Sequence, residues 1–330
     1  MRYSDGYWPN MLALLYVLFA FVIGIAGMSQ SLPAANILGV LLLAHGMVIA
    51  AYMIHECAHN TVFSNNRNNA RLGNVLLWFT GAAYGKYEDI RSKHFRHHVD
   101  RADVVAFDYR TRLASYPRLC KIIKALEWVY IPAIEIIMHA LVLILPFHQA
   151  QRKHLRKHVI SVLAIRVLIF ALLFAWSPRV VLLYPIAYLL FLTVMRFMDT
   201  HQHTYEVFET LDQERGEEAR RFNAEYEQRN TFSNLVSVRY PWLNLLTLNF
   251  GYHNAHHARP TTPWYRLPAL HRELYGSGDE QILPFGNLLR AFHRYRTRRI
   301  LNADEGDIGM AADKGIRFVG VDGVSFLTAH

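Results

Sequence analysis

Four apolar stretches constrain this chain more than anything else in it: 11–28, 37–54, 159–176 and 180–198. Each is close to the ~20 residues that an α-helix needs to cross the hydrocarbon core of a bilayer. In lipid a spanning segment must satisfy its own backbone N–H and C=O groups, so unbroken apolar runs of this length are read as helices. Short breaks at 29–33 and at Ser177-Pro178 join them as two antiparallel hairpins. The expected fold is therefore all-α and integral to a membrane. Two further apolar stretches, 75–84 and 128–147, are expected to be interfacial or partly inserted helices. The second contains Pro132, Glu135, His139 and Pro146, which argue against a plain lipid-exposed span. Arg166, inside the third stretch, is expected to face the bundle interior or to snorkel.

Composition and charge agree with this reading. Of 330 residues, 52% are hydrophobic and 18% charged, whereas soluble domains run nearer to about one quarter charged. The net charge of +9 gathers at 91–101, 151–158 and 293–299, while the tight connections near Ser31 and Ser177 hold only Arg179. The positive-inside rule then places the basic clusters and both termini in the cytoplasm. The charge reflects topology, and nucleic acid is not an expected partner. Two cysteines, Cys57 and Cys120, exclude a disulfide scaffold and an iron–sulfur cluster. The expected organisation is a membrane domain over 1–300, with cytosolic segments 55–158 and 199–300. A short soluble tail, 301–330, rich in Gly, Asp and Ala, follows it. A charged segment, 206–229, has no assignable role.

Eighteen histidines are the anomaly, and their spacing carries the chemistry. Three clusters stand out: His55-Glu-Cys-Ala-His59, His94-Phe-Arg-His97-His98 and His253-Asn-Ala-His256-His257. On a helix, positions i, i+3 and i+4 share a face, so each cluster is expected to aim two or three imidazoles at one point. Eight imidazoles exceed the four ligands of one tetrahedral zinc and imply two metal ions. Imidazole suits iron, zinc, copper and nickel, so spacing alone does not name the metal. With four spans, all three clusters fall on the cytoplasmic side, where they could meet.

This series, H-x-x-x-H then H-x-x-H-H twice, resembles the membrane fatty acid desaturase and hydroxylase superfamily, in its bacterial type. The likeness runs from about Ala51 to Leu270 and includes the stretch Arg259-Pro-Thr-Thr-Pro-Trp-Tyr-Arg-Leu-Pro268. It implies a mushroom-shaped fold, with four membrane helices under a cytosolic helical cap that holds two non-haem iron ions. It also implies a dioxygen-dependent attack on C–H bonds of a fatty acyl chain, in a bacterial inner membrane with the active site cytoplasmic. The family commonly supplies one more histidine in a Gln-His-Thr context, matched here by Gln202-His203-Thr204, with His201 as the competing candidate. The implied metal ligands are His55, His59, His94, His97, His98, His203, His253, His256 and His257. Asp199 and Glu56 are expected to support and orient them. No fused cytochrome-like domain is present, so electrons are expected from a separate donor of ferredoxin, rubredoxin or cytochrome type with its reductase. The substrate is expected to be a fatty acid or acyl thioester among membrane lipid.

The boxes do not choose the outcome: desaturation is expected first, with decarboxylation to a terminal alkene or hydroxylation as alternatives. A rival of another class exists, because His55-Glu56-x-x-His59 is also the zinc-protease motif, with Glu56 as general base. A protease with one zinc has no need of the remaining histidines. A metal transporter would hold its ligands near the membrane midplane, not beyond the span ends. Basic residues Arg91, Lys93 and Arg96 could meet a carboxylate, a phosphate or an acidic redox donor, though membrane-facing charge is the simpler reading.

Overall fold

The computed structural model describes residues 1–211, 222–276, 281–302 and 304–329. Its longer elements, in chain order, begin with α1 (Tyr7–Ser29), α2 (Pro33–Ala58), α3 (Asn66–Phe79), α4 (Tyr87–Asp100), strand β1 (Asp103–Val105) and α5 (Tyr109–Ser115). There follow α6 (Pro117–Trp128), α7 (Ala133–His148), α8 (Arg156–Trp176), α9 (Pro178–Thr200), β2 (Phe208–Thr210) and α10 (Ala224–Arg229). The remainder comprises α11 (His253–Ala258), α12 (Leu267–Tyr275), α13 (Phe285–Arg294), β3 (Gly306–Asp307) and β4 (Arg317–Phe318). Part of the charged segment, 212–221, lies outside the described residues. Among the described residues, four helices, ending at Ser29, Ala58, Trp176 and Thr200, are long and apolar enough to cross a bilayer. The chain divides into two compact units, 1–90 with 139–194, and 91–138 with 195–329.

In the first unit, α1 and α2 approach so closely that glycine is required between them. A Cβ on Gly39 would come within 2.6 Å of Gly24 O and 2.7 Å of Met28 N. One on Gly46 would sit 2.7 Å from the Ala20 methyl. Small residues of this kind let helix backbones pack where lipid supplies no hydrophobic drive. The turn between them is closed by Asn36, whose amide donates to the orphan carbonyls of Gly27, Met28 and Gln30. The outer faces of α1 and α8 expose Leu15, Leu18, Phe19, Val167, Leu168 and Leu172, as helices facing lipid do. Between α8 and α9, the rings of Phe170 and Tyr184 meet edge to face at 5.0 Å.

The stretch 75–84 is the end of α3, which starts at an Asn65 cap and packs on α2. Its last ring, Phe79, stands edge to face on Phe21 of α1 at 4.7 Å. This explains Arg166. Its guanidinium donates to Trp78 O at 2.8 Å, a carbonyl in the last turn of α3 that has no intrahelical partner. It also lies over the Trp78 ring, 5.5 Å from the centroid. The arginine faces inward and completes a helix C-terminus.

The second unit is built around α4 and the end of α9. Strands β1 and β2 pair in parallel with Val104 opposite Glu209, so that the chain after α4 is fixed against the chain after α9. Arg96 locks this joint, reaching Glu209 at 2.7 Å, Asp100 at 3.0 Å and Leu211 O at 3.0 Å. The stretch 128–147 is mostly α7, which follows α6 after a bend of 119°, as in a broken span or a re-entrant pair. A hydrophobic core gathers Phe197, Met198, Phe232, Leu283, Leu288, Phe292 and Phe318. Beside it is a buried ionic cluster in which Arg196 pairs with Glu127 and with Asp322, the latter at 2.7 Å.

Candidate metal centre

Seven of the proposed ligands lie within the second unit, and they form two neighbouring groups. In the first group, His203 Nε2 is 3.0 Å from His97 Nε2 and 2.8 Å from His253 Nε2. His257 joins them, its ring centroid 4.5 Å from that of His253 and 4.7 Å from that of His203. In the second group, His98 Nε2 stands 3.1 Å from His94 Nε2 and 3.3 Å from His256 Nε2. The two groups touch where the His98 and His257 rings lie 4.2 Å apart.

The helices deliver these rings in a way the spacing alone disguises. On α4, His94 and His98 go to one group while His97 goes to the other. On α11 the division is reversed, with His253 and His257 in the first group and His256 in the second. At about 100° per residue, positions i+3 and i+4 fall on opposite sides of i, separated by one residue's rotation. An H-x-x-H-H box therefore cannot aim all three rings at one point. It feeds two points, and the two boxes do so reciprocally. Of the two or three imidazoles expected at one point from each cluster, two of each H-x-x-H-H box share a group and the third joins the other.

Outer hydrogen bonds set which nitrogen points inward. His97 Nδ1 meets Ala102 O at 2.8 Å. Thr231 Oγ1 donates to Glu227 O, so its lone pair is left for His203 Nδ1–H at 3.3 Å. His257 Nδ1–H donates to Glu227 Oε1 at 2.8 Å, and Arg101 holds the other Glu227 oxygen at 3.1 Å. With their Nδ1 protons placed outside, these rings turn Nε2 lone pairs into the group. His257 Nε2 is buried and accepts or donates no hydrogen bond among the described residues. A buried lone pair of that kind, with neighbouring nitrogens about 3 Å apart, suits a shared metal ion, because bonds of ~2.0–2.1 Å at cis positions give that separation. The residues present fit a metal.

Burial also favours the neutral form of the four histidines of the first group. It pulls His97 down to about 4, opposed by the bond to Ala102 O. It lowers His203, His253 and His257 well below the ordinary imidazole range, and the surrounding histidines push in the same direction. Neutral imidazole is the form that binds metal.

In the first unit, His55 and His59 occupy the last turn and C-cap of α2, buried, with ring centroids 4.7 Å apart. Glu56 is engaged locally: Thr61 Oγ1 donates to its Oε2 at 2.5 Å, and its other oxygen is 3.6 Å from His55 Nδ1. In the second unit, His201 is packed among Phe197, Phe292 and Phe318, apart from both groups. Asp199 is not the group that meets His203 Nδ1. It lines a small cavity, of about 40 Å³, beside the first histidine group. Lys93 lines the same cavity, yet its ammonium is held by Ser325 O at 2.7 Å, Thr328 O at 3.0 Å and Thr328 Oγ1 at 3.0 Å. Lys93 and Arg96 are thus bonded inside the unit.

Two contributions escape a sequence reading. Glu227 comes from α10, at the end of the charged segment, thirty residues before the histidine it holds. Thr231 belongs to a short antiparallel bridge with His203. Each has an unremarkable sequence context, since a carboxylate or hydroxyl at that distance carries no spacing rule.

No curated protein matches this sequence. The family model described as "Fatty acid desaturase" matches residues 31–287, a span that takes in all three histidine boxes and His203. The chain belongs to the fatty acid desaturase family.

Proposed function

We propose that the protein is a membrane-bound di-iron enzyme that uses dioxygen to desaturate a fatty acyl chain. The observation that carries this reading is the convergence of His97 Nε2 and His253 Nε2 on His203 Nε2, at 3.0 and 2.8 Å. His257 completes that ligand set. His94, His98 and His256 supply the second, and by the three-box pattern of the sequence we also read His55 and His59 as metal ligands. Two irons bound there would supply the oxidising power to remove hydrogen from an unactivated carbon.

The chain's own residues do the rest. Glu227, Thr231 and the Ala102 carbonyl orient the imidazoles, and the unit's packing excludes bulk water from them. Electrons come from a separate ferredoxin, rubredoxin or cytochrome-type donor, and the site faces the cytoplasm. Desaturation is put ahead of decarboxylation and hydroxylation on the family match. The protease reading is disfavoured because Glu56 is tied to Thr61 and His55 instead of facing a substrate.

Expression of the whole chain with a reductase system and isotope-labelled fatty acids, followed by mass spectrometry, tests this. Desaturated product and about two irons per chain are expected. One tightly held zinc without iron, or no oxidised product from any chain length, would sink the reading.

A further inference from the structure

The family match ends at residue 287, yet one of the most buried stretches of the second unit lies beyond it. From Val319 to Ala329, every described side chain is buried except the half-buried Val324. This segment has little secondary structure and is held by specific bonds. Asp322 receives Arg196 through Nε at 2.8 Å and Nη2 at 2.7 Å, a two-point clamp. Tyr109 donates to Asp322 O at 2.9 Å, and Gly323 N–H to Glu135 Oε1 at 2.9 Å. Arg299 Nε holds Val319 O at 2.7 Å, and Lys93 fastens Ser325 and Thr328. Gly320 has φ +73°, and a Cβ there would lie 2.3 Å from Thr200 O, so glycine alone fits.

The bonds fix two apolar side chains at the candidate centre. Val324 and Phe326, with Val104 and Phe250, form the apolar part of the cavity wall beside the histidines, whose other side carries Asp103, Asp199 and Gln202. The Phe326 ring is 6.0 Å from that of His94. An acyl chain offers many chemically equal C–H bonds. The carbon attacked is therefore chosen by where the chain stops or bends against the wall nearest the oxidant. The cavity is narrow, so a change in one wall residue alters what fits.

We infer that residues 319–329 form a wall of the acyl-chain site, and that Val324 and Phe326 set which carbon reaches the histidines. This rests on the desaturase reading given above. Phe326→Leu, which keeps the wall apolar, and Phe326→Trp, which narrows the site, are the informative variants, with Val324→Ala as a smaller change.

Photolabelling of the full, iron-loaded chain with long-chain fatty acids carrying a diazirine at successive carbons tests the wall without requiring turnover. Adducts within 319–329 are expected, and the labelling position along the chain should move in the Phe326 variants while iron content stays at the wild-type level. In the product assay, the preferred chain length or bond position should shift by roughly tenfold per methylene of mismatch. Adducts found only elsewhere overturn the inference, as does an unshifted product profile in both Phe326 variants. Loss of iron in Phe326→Leu and Val324→Ala alike would overturn it too, because the segment would then act on the metal site. A wild-type chain that is labelled here but oxidises no acyl chain fails the desaturase reading and leaves the wall standing.

Discussion

Glu227 illustrates how much of this centre depends on groups outside the three histidine boxes. Its carboxylate accepts from His257 Nδ1 and is itself held by Arg101. Loss of such a partner typically lowers metal affinity by ~10–100-fold. Glu227→Ala is therefore expected to lose iron to a chelator at concentrations that spare the wild type, with Glu227→Gln intermediate because its amide oxygen can still accept. Metal analysis after chelator titration measures this; equal retention in all three would remove Glu227 from the centre. His203 and His201 make a second contrast two residues apart. His203→Ala should abolish iron loading at its group, whereas His201→Phe, in a pocket already lined by Phe197, Phe292 and Phe318, should keep the metal. The reverse outcome would exchange their roles.

Among the elements, the α1–α2 pair depends on backbone contact. Gly39→Leu would drive a side chain into Gly24 O and Met28 N, backbone atoms that cannot turn aside. Overpacking of this kind costs about 1–3 kcal/mol, or more where only backbone yields. A clear drop in the detergent melting temperature is expected. Gly286 near the start of α13 is the control, since a Cβ there meets nothing within 4 Å. Gly286→Ala should be neutral or slightly stabilising, by up to ~1 kcal/mol from helix propensity. If Gly39→Leu melts with the wild type, the close crossing is not present in the folded chain. The short elements matter differently: α10, six residues long, and the bridge at Thr231 contribute little packing but hold two of the histidine rings.

For the whole molecule, buried titrating groups set a pH window for stability. Burial lowers His97, His203, His253 and His257, so the unfolded chain binds protons that the folded chain refuses. Stability from these groups is present above about pH 6.5 and is lost as pH falls below it. Burial raises Asp103, opposed by Arg110, and raises Glu305, which the nearby Asp103 charge raises further. Their contribution is present below the ordinary carboxylate range, near pH 4, and is lost as pH rises through their higher folded values. The metal-free protein should thus show thermal unfolding that weakens on both sides of a maximum. Iron(II), which competes with protons for the same nitrogens, should extend the acid side to lower pH. Melting curves with and without chelator check this; an acid limb unmoved by iron would argue that the histidines do not bind it.

The four apolar stretches and the three boxes were legible in the sequence because both follow rules of length and spacing. A span must match the bilayer, and ligands on one helix must recur at i, i+3 or i+4. The sequence by itself thus determined membrane helices, a multi-histidine centre and the family. It also showed His203, through its Gln-His-Thr context, though not the bond to Thr231. Tertiary structure decided what has no local signature. The division of each H-x-x-H-H box between two foci requires two helices facing each other. Glu227 reaches His257 across thirty residues, and Arg166 finds the end of α3. The stretch 301–330, unremarkable in composition, contains a buried strap beside the centre because Asp322, Gly320 and Lys93 find partners far away in sequence. Such contacts are set by complementary charge and shape at a distance, and no periodicity records them.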